Sequence, residues 1–220
     1  MRIRSFIIAY ALVLAILLFA DRRPGSSQSD RYSHVIDLTG VPDSDRNKDA
    51  LATPTRIIPP GALIPGTWSA GQIPAERLIA PLVVMDLTIR TDQTSQITLS
   101  DIADWESRHG VVARGAVVAI RVGPASSPSA TPLPITADAA RFLMDARNVL
   151  GFAIETSSNL ASDRSLARQL ALHGNYVIDS ATHFSALPET GSLVIVAPAK
   201  NSTNKASAFE TPVRVLAMVR

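Results

Sequence analysis

This 220-residue chain contains no cysteine. Disulfides, thiolate metal sites and a cysteine nucleophile are therefore excluded, while the cellular compartment stays open. The chain also lacks the Gly-x-Gly-x-x-Gly and phosphate-loop patterns, which argues against dinucleotide and nucleotide chemistry. Ser157 and Ser158 do not lie in a Gly-x-Ser-x-Gly elbow, so a serine hydrolase has little support. These absences exclude most of the common catalytic templates.

The chain has no excess of basic residues once the N-terminal residues are set aside. The whole chain has 21 basic and 19 acidic residues. Four of the bases and one of the acids lie in residues 1–23, so the remainder has 17 bases against 18 acids, a net charge near −1. No basic stripe remains that could hold a phosphate backbone, and we therefore reject nucleic-acid binding.

The first 23 residues have the pattern of an export signal or a membrane anchor. Arg2 and Arg4 precede an uncharged run of fifteen residues, Phe6–Ala20. This length suits the apolar core of a signal peptide and is short for a transmembrane helix, which needs about 20 residues. Cleavage after Ala20 would place Leu18 where a small residue is required, so an uncleaved anchor stays open.

We therefore expect three regions in the chain. Residues 1–23 form a signal peptide or transmembrane anchor, residues 24–32 a polar linker, and residues 33–220 one folded domain with enough chain for a substantial core. The domain is expected outside the cytoplasm, either periplasmic or secreted. If residues 1–23 are not cleaved, residues 6–20 tether it to the membrane.

Apolar, β-rich runs alternate with amphipathic stretches along the folded domain. Helices are predicted over 100–109, 138–148 and 163–173, the first of them starting at a capping box of Thr98 and Asp101. Strands are predicted over 35–38, 81–88, 115–123, 151–156, 176–179, 192–197 and 213–219, and the Pro/Ser-rich stretch 124–134 is predicted to be a loop. This alternation indicates an α/β domain with helices packed on a mixed sheet.

The predicted core follows from these elements. In the strands we expect burial of Val83, Val117, Ile120, Ile154, Ile178, Val194 and Leu216. Phe142 and Leu170 are expected to pack two of the helices onto the sheet.

Five segments carry a family resemblance, in order along the chain. They are residues 73–87, residues 97–102 with 114–123, Gly-Phe-Ala-Ile-Glu-Thr-Ser-Ser at 151–158, residues 176–191, and Thr-Pro-Val-Arg-Val-Leu-Ala at 211–217. Together they resemble the cyclase family, the metal-dependent hydrolases that include bacterial kynurenine formamidase. The resemblance implies a swivelling β/β/α domain, an arylformamidase-like activity on amides and a homodimer.

The same resemblance implies a metal site, and its residues are largely absent here. Family members carry His-x-Gly-Thr-His-x-Asp-x-Pro-x-His ahead of the first core strand. In this chain Thr53 is retained, but Ala50, Pro54 and Pro60 stand at the histidine positions and Arg56 at the aspartate position. Alanine and proline offer no side-chain donor, and a guanidinium repels a cation.

Two further ligands implied by the resemblance lie later in the chain. The histidine position falls near Leu166 or Ala167, and the glutamate position is Asp179, one methylene shorter. One weak ligand does not hold a metal that normally takes three protein ligands. We therefore expect no cofactor. If the family activity is retained, the expected cofactor is zinc or manganese.

The four histidines of the chain could in principle build a substitute site. His109 and His173 each precede a glycine at a predicted helix end, where a histidine pairs with terminal carbonyls, and His34 is expected at the surface. His183 follows Asp179 by four residues and could orient a water or a bound acid with it, or could be a polar loop residue.

The candidate site therefore consists of Asp179 and His183 as catalytic residues, with Thr53, Arg56 and Glu155 as possible pocket residues. Two functions compete. One is an exported cyclase-like protein whose metal-dependent activity is lost or strongly reduced and which serves as a binding or scaffold protein, with a small molecule as a candidate ligand. The alternative is an active amidohydrolase of the kynurenine formamidase type, with a remodelled site for a small amide or lactam.

Overall fold

Eight strands and four α-helices make up the part of the chain that the computed structural model describes, which is residues 32–40, 54–88, 96–121, 132–200 and 211–220. The strands are β1 (His34–Asp37), β2 (Arg56–Ile58), β3 (Ile79–Asp86), β4 (Val117–Arg121), β5 (Gly151–Ile154), β6 (Tyr176–Asp179), β7 (Ser192–Pro198) and β8 (Thr211–Val219). The helices are α1 (Pro60–Leu63), α2 (Leu99–His109), α3 (Ala137–Arg147) and α4 (Arg164–Leu172).

The sheet closes into a seven-stranded barrel. Its order is β8-β2-β6-β5-β4-β3-β7, and the pairing of β7 with β8 completes the ring. Strands β3, β4, β5 and β6 run parallel, whereas β2, β7 and β8 join them through antiparallel pairs. Strand β1 pairs with β8 outside the ring. Closure leaves few unpaired strand edges.

Alternation along each strand produces two hydrophobic cores. Val117 and Ala119 of β4 point into the barrel interior, while Val118 and Ile120 point toward the helices. The helix-facing core contains residues of α2, α3 and α4, such as Trp105. The central parallel strands are therefore buried on both faces, as their apolar composition requires.

The helix ends follow their sequence signals. The predicted capping box of α2 is present: Oγ1 of Thr98 accepts from the backbone N–H of Asp101 at 3.3 Å, and Oδ2 of Asp101 accepts from the backbone N–H of Thr98 at 2.7 Å. Helix α3 ends at Asn148, whose φ of 54° lies in the left-handed region. Asp163 caps α4 by accepting from the backbone N–H of Leu166 at 3.0 Å.

The α/β class, the three long helices and the seven predicted strands are confirmed. The closure of the sheet was not predicted, and neither were β2 and α1, which are short and flanked by prolines. Six of the seven predicted strand core residues are buried. The prediction for Leu216 was wrong: it is half-buried, because Val215 and Ala217 point into the barrel and Leu216 points outward.

The predicted membrane segment, residues 1–23, lies outside the described residues, as does most of the linker and of the predicted 124–134 loop. Within the described part of the chain, no helix is both long enough and apolar enough to cross a membrane. Residues His34–Arg220 form one compact unit.

Candidate functional site

Four charged residues lie at the carboxyl ends of the four parallel strands. Asp86 and Arg121 are the last residues of β3 and β4, Glu155 follows β5, and Asp179 ends β6. In α/β proteins the carboxyl ends of parallel strands are the usual place for ligand and catalytic sites. This end of the barrel is therefore the candidate functional site.

The four residues belong to two clusters on opposite faces of the sheet. Asp179 has the same alternation as Val177, which points toward the helices, and Arg56 shares this face with Ile58. Asp86 and Arg121 lie on the same face of their strands as the barrel-facing residues Val84 and Ala119. We call Arg56, Ser157, Ser158 and Asp179 the Arg56 cluster, and Asp86, Arg121, Glu155 and His183 the Glu155 cluster.

The Arg56 cluster is built around a fully buried carboxylate. Asp179 lies directly opposite Arg56 in the antiparallel pair of β2 and β6, and its side chain has no exposed surface. Nη2 of Arg56 lies 3.3 Å from Oδ2 of Asp179 and donates to Oγ of Ser157 at 2.8 Å. Ser158 donates its backbone N–H to Oδ2 at 2.9 Å and its hydroxyl to Oδ1 at 2.7 Å. Both oxygens of the carboxylate are therefore engaged.

Burial dominates the electrostatics of Asp179. Removal from water raises the pKa of this carboxyl above its ordinary value, and the hydrogen bonds from Ser158 and the charge of Arg56 only partly oppose the shift. Both oxygens of this carboxyl already accept hydrogen bonds, so a metal ion would have to compete with Ser158 and Arg56 for them.

The Glu155 cluster is more open and less tightly bonded. Nη1 of Arg121 lies 2.6 Å from Oδ2 of Asp86, and both side chains are partly exposed. Oε1 of Glu155 accepts from the backbone N–H of Phe184 at 3.2 Å, and Phe184 packs in the barrel interior. Burial raises the pKa of Glu155, while the charges of Arg121 and His183 lower it.

His183 lies in a strained loop that follows β6. Both Ser180 and His183 have left-handed φ values, 55° and 63°, which non-glycine residues seldom adopt. Nδ1 of His183 donates to the backbone carbonyl of Asp37 at 3.1 Å. At the start of this loop, the hydroxyl of Thr55 donates to the backbone carbonyl of Ser180 at 2.6 Å. The ring of His183 is exposed.

The structure thus brings together some of the predicted site residues and separates others. Arg56 contacts Asp179, and the charge of His183 acts on Glu155, but Asp179 and Glu155 belong to different hydrogen-bond networks. Thr53 lies outside the described residues. Asp86 and Arg121 were missed, although their position at the ends of two predicted strands could have suggested them.

The remaining histidines have structural partners. Nδ1 of His173 donates to the backbone carbonyl of Gln169 at 2.8 Å, and its Nε2 lies 2.9 Å from Oδ1 of Asp145. The ring of His109 packs at a tilt against the ring of Trp105, and it contacts the carboxylate of Glu189 instead of a helix-end carbonyl. His34 is exposed in β1, as expected.

The residues of this site do not fit a divalent metal. Among the residues that the structure describes, no group of three or more histidine, cysteine, aspartate or glutamate side chains could hold a metal ion. At the positions implied by the resemblance, Pro54 and Pro60 offer no side-chain donor, and the guanidinium of Arg56 lies against the single acid, Asp179.

Comparisons with known proteins agree with this fold. The family model of the putative cyclases matches residues 46–159, slightly more than half of the 220-residue chain. The chain therefore belongs to the putative cyclase family. No curated protein matches the sequence.

Solved structures with the same fold include two isatin hydrolases A. The structure from Labrenzia aggregata, bound to benzyl benzoate, has a TM-score of 0.69 and 23% identity, covering 96% of this chain and 99% of that one. The structure from Ralstonia solanacearum has a TM-score of 0.67 and 23% identity, covering 85% and 92%. A potential metal-dependent hydrolase with cyclase activity has a TM-score of 0.62 and 22% identity, covering 85% and 98%. At these identities the likeness concerns the fold.

Proposed function

We propose that this chain is an exported cyclase-family protein that has lost, or retains only at a strongly reduced level, the metal-dependent hydrolysis of its relatives, and that binds a small molecule instead. One observation carries the proposal. The buried carboxylate of Asp179, the acid that the resemblance implies as a metal ligand, is paired with Arg56 and accepts two hydrogen bonds from Ser158.

A metal ion at this site would have to displace the Arg56 side chain. The guanidinium already supplies the positive charge that a buried carboxylate needs, and it binds carboxylates with a planar, directional donor set. A catalytic zinc needs three protein ligands and an open position for water. Without a bound metal, water keeps a pKa near 15.7 and is scarcely ionised at neutral pH.

The activity test uses the full-length protein and two substrates, N-formylkynurenine and isatin. We expect no turnover above background with added zinc, manganese or cobalt, and no loss of residual activity with chelator. General-base catalysis by a side chain such as His183 would contribute at most about 10²–10⁴-fold over water. Metal-dependent turnover that chelator abolishes would contradict the proposal and favour an amidohydrolase with a remodelled site.

Export and assembly belong to the same proposal. The basic start and the uncharged run of residues 6–20 support export, and the family resemblance supports a homodimer. Alkaline phosphatase is active only after export, so its fusion behind Arg220 in a bacterial host should be active. Abundant but inactive fusion protein would contradict export, and a monomer in analytical ultracentrifugation would contradict the dimer.

A further inference from the structure

A cavity of about 470 Å³ lies between α1 and α4, apart from the residues of the two clusters. It is lined by Ala62, Leu63, Ile64, Leu160, Arg164, Ala167 and Arg168. Leu160 and Ala167 are buried, whereas both arginines are exposed. The volume lies within the range of small-molecule sites. An apolar wall with two cationic side chains is typical of a site that orients an amphipathic ligand.

The two arginines have no partner in the part of the chain that the structure describes. They are four residues apart on α4, so their side chains lie on the same face of the helix. Asp163, the nearest acid in sequence, uses Oδ1 to cap the backbone N–H of Leu166. Among the described residues, the positive charge at the cavity is therefore not neutralised.

Both arginines stand at positions that the helix itself disfavours. Arg164 is the first residue of α4, where the positive end of the helix dipole favours an acidic side chain. Two like charges spaced by four residues repel each other. Neither feature stabilises the protein, but both would favour a bound anion.

Small side chains in the wall of the cavity leave its space unfilled. Ala167 lines the cavity from α4. Its side chain is a single methyl group, and Ala62 on α1 is equally small. Larger side chains at these two positions would fill part of the space.

The geometry points to a binding site for a small organic carboxylate with an apolar body, held by Arg164 and Arg168 above the apolar wall of α1 and α4. This inference rests on the proposed function, because it names the class of small molecule that the protein binds. The carboxylate pairs with the guanidinium groups, and the apolar body contacts Leu63, Ile64 and Leu160.

The test measures binding of three related probes to the full-length protein by isothermal titration calorimetry. The probes are 2-naphthoate, neutral 2-naphthamide and cationic 2-naphthylmethylammonium. We expect 2-naphthoate to bind at least tenfold more tightly than the amide, the cation to show no binding, and the affinity for 2-naphthoate to fall as salt is raised. Arg164→Gln and Arg168→Gln should each weaken 2-naphthoate binding by about fivefold.

Two further variants provide the controls. Arg141→Gln removes an exposed charge from α3 and should leave the affinity unchanged. Ala62→Trp should abolish binding by filling the cavity. Its melting temperature is measured in parallel, and Ala62→Leu replaces it if it unfolds.

Several results would overturn this inference. Equal affinity for the acid and the amide would show that the arginines do not recognise the ligand, and loss of binding in Arg141→Gln would point to general charge attraction. If 2-naphthoate does not bind, the inference is wrong. A change in the oligomeric state of the arginine variants would then show that a second copy of the chain occupies the groove. Metal content and hydrolysis are measured separately, so failure of the proposed function is distinguishable from failure of this ligand class.

Discussion

The Arg56 cluster and the Glu155 cluster lie at the same end of the barrel, on opposite faces of the sheet, yet their environments differ. Asp179 has no exposed surface and both of its oxygens are engaged, whereas Asp86 and Glu155 remain partly exposed. Two positions that the resemblance implies for metal ligands hold the ion pair of Arg56 and Asp179. The polar residues that face the barrel interior remain accessible.

The difference shows how this fold accommodates a buried acid at a position that the resemblance implies for a metal ligand. A buried acid without a metal would be costly unless a cation and hydrogen-bond donors compensate it. Arg56 and Ser158 supply both in this chain. Arg56 therefore has a structural role at the site. The first and last of the four predictions below compare the two clusters in energy, and the second and third examine the Arg56 cluster itself.

The largest effect is expected for Arg56→Met, compared with Arg121→Met. Removing Arg56 leaves the buried Asp179 without its counter-charge and should lower the free energy of unfolding by about 3 kcal/mol. Removing Arg121 from its partly exposed pair with Asp86 should cost about 1 kcal/mol or less. Urea denaturation followed by circular dichroism measures both variants. Equal losses would contradict the contrast between the two clusters.

The second prediction concerns the two neighbouring serines. Ser158→Ala removes a buried donor to Asp179 and should cost about 2 kcal/mol, because hydrogen bonds to charged groups contribute about 1.5–3 kcal/mol. Ser157→Ala removes only a half-buried acceptor of Arg56 and should cost less than about 1 kcal/mol. The reverse order in thermal unfolding would show that Ser157, not Ser158, holds the cluster together.

The third prediction follows from the raised pKa of Asp179. A folded carboxyl with a raised pKa holds its proton where the unfolded one has lost it, so its contribution to stability falls as pH rises above the ordinary value of 3.8. The unfolding free energy of the wild type minus that of Asp179→Asn should therefore decrease from about pH 4 upward. Because Glu155 is present in both proteins, its own titration cancels. An increase with pH would mean that Arg56 outweighs burial.

The smallest effect is expected for Glu155→Gln. The amide oxygen can still accept the backbone N–H of Phe184, and the side chain is only half-buried, so stability should change by less than about 0.5 kcal/mol. Chemical denaturation at neutral pH checks this. A loss as large as that of Ser158→Ala would show that the Glu155 cluster is as important for folding as the Arg56 cluster.

Much of the fold could be predicted from sequence because local signals mark the long elements. The capping box at Thr98, the glycine after His109 and the apolar run of β3 each specify an element without tertiary information. Strand β2 has only three residues and follows a proline-rich stretch, so periodicity could not reveal it. Closure of the barrel depends on β7 pairing with β8, a tertiary contact that no local pattern specifies.

The candidate site could be predicted only in part for the same reason. The family resemblance located Arg56 and Asp179, and their pairing follows from the register of β2 and β6. The role of Ser158 depends on the turn after β5, which brings its backbone N–H and hydroxyl to a carboxylate 21 residues further on. Such a contact leaves no signature in spacing or composition.

The most direct test of the central claim is the metal content of the full-length protein purified after expression in medium supplemented with zinc and manganese, measured by inductively coupled plasma mass spectrometry. We predict much less than one equivalent of either metal, and the same value for Asp179→Ala. Stoichiometric zinc or manganese in the wild type that is lost in Asp179→Ala would show that the site holds a metal. The ion pair of Arg56 and Asp179 would then not be its functional state.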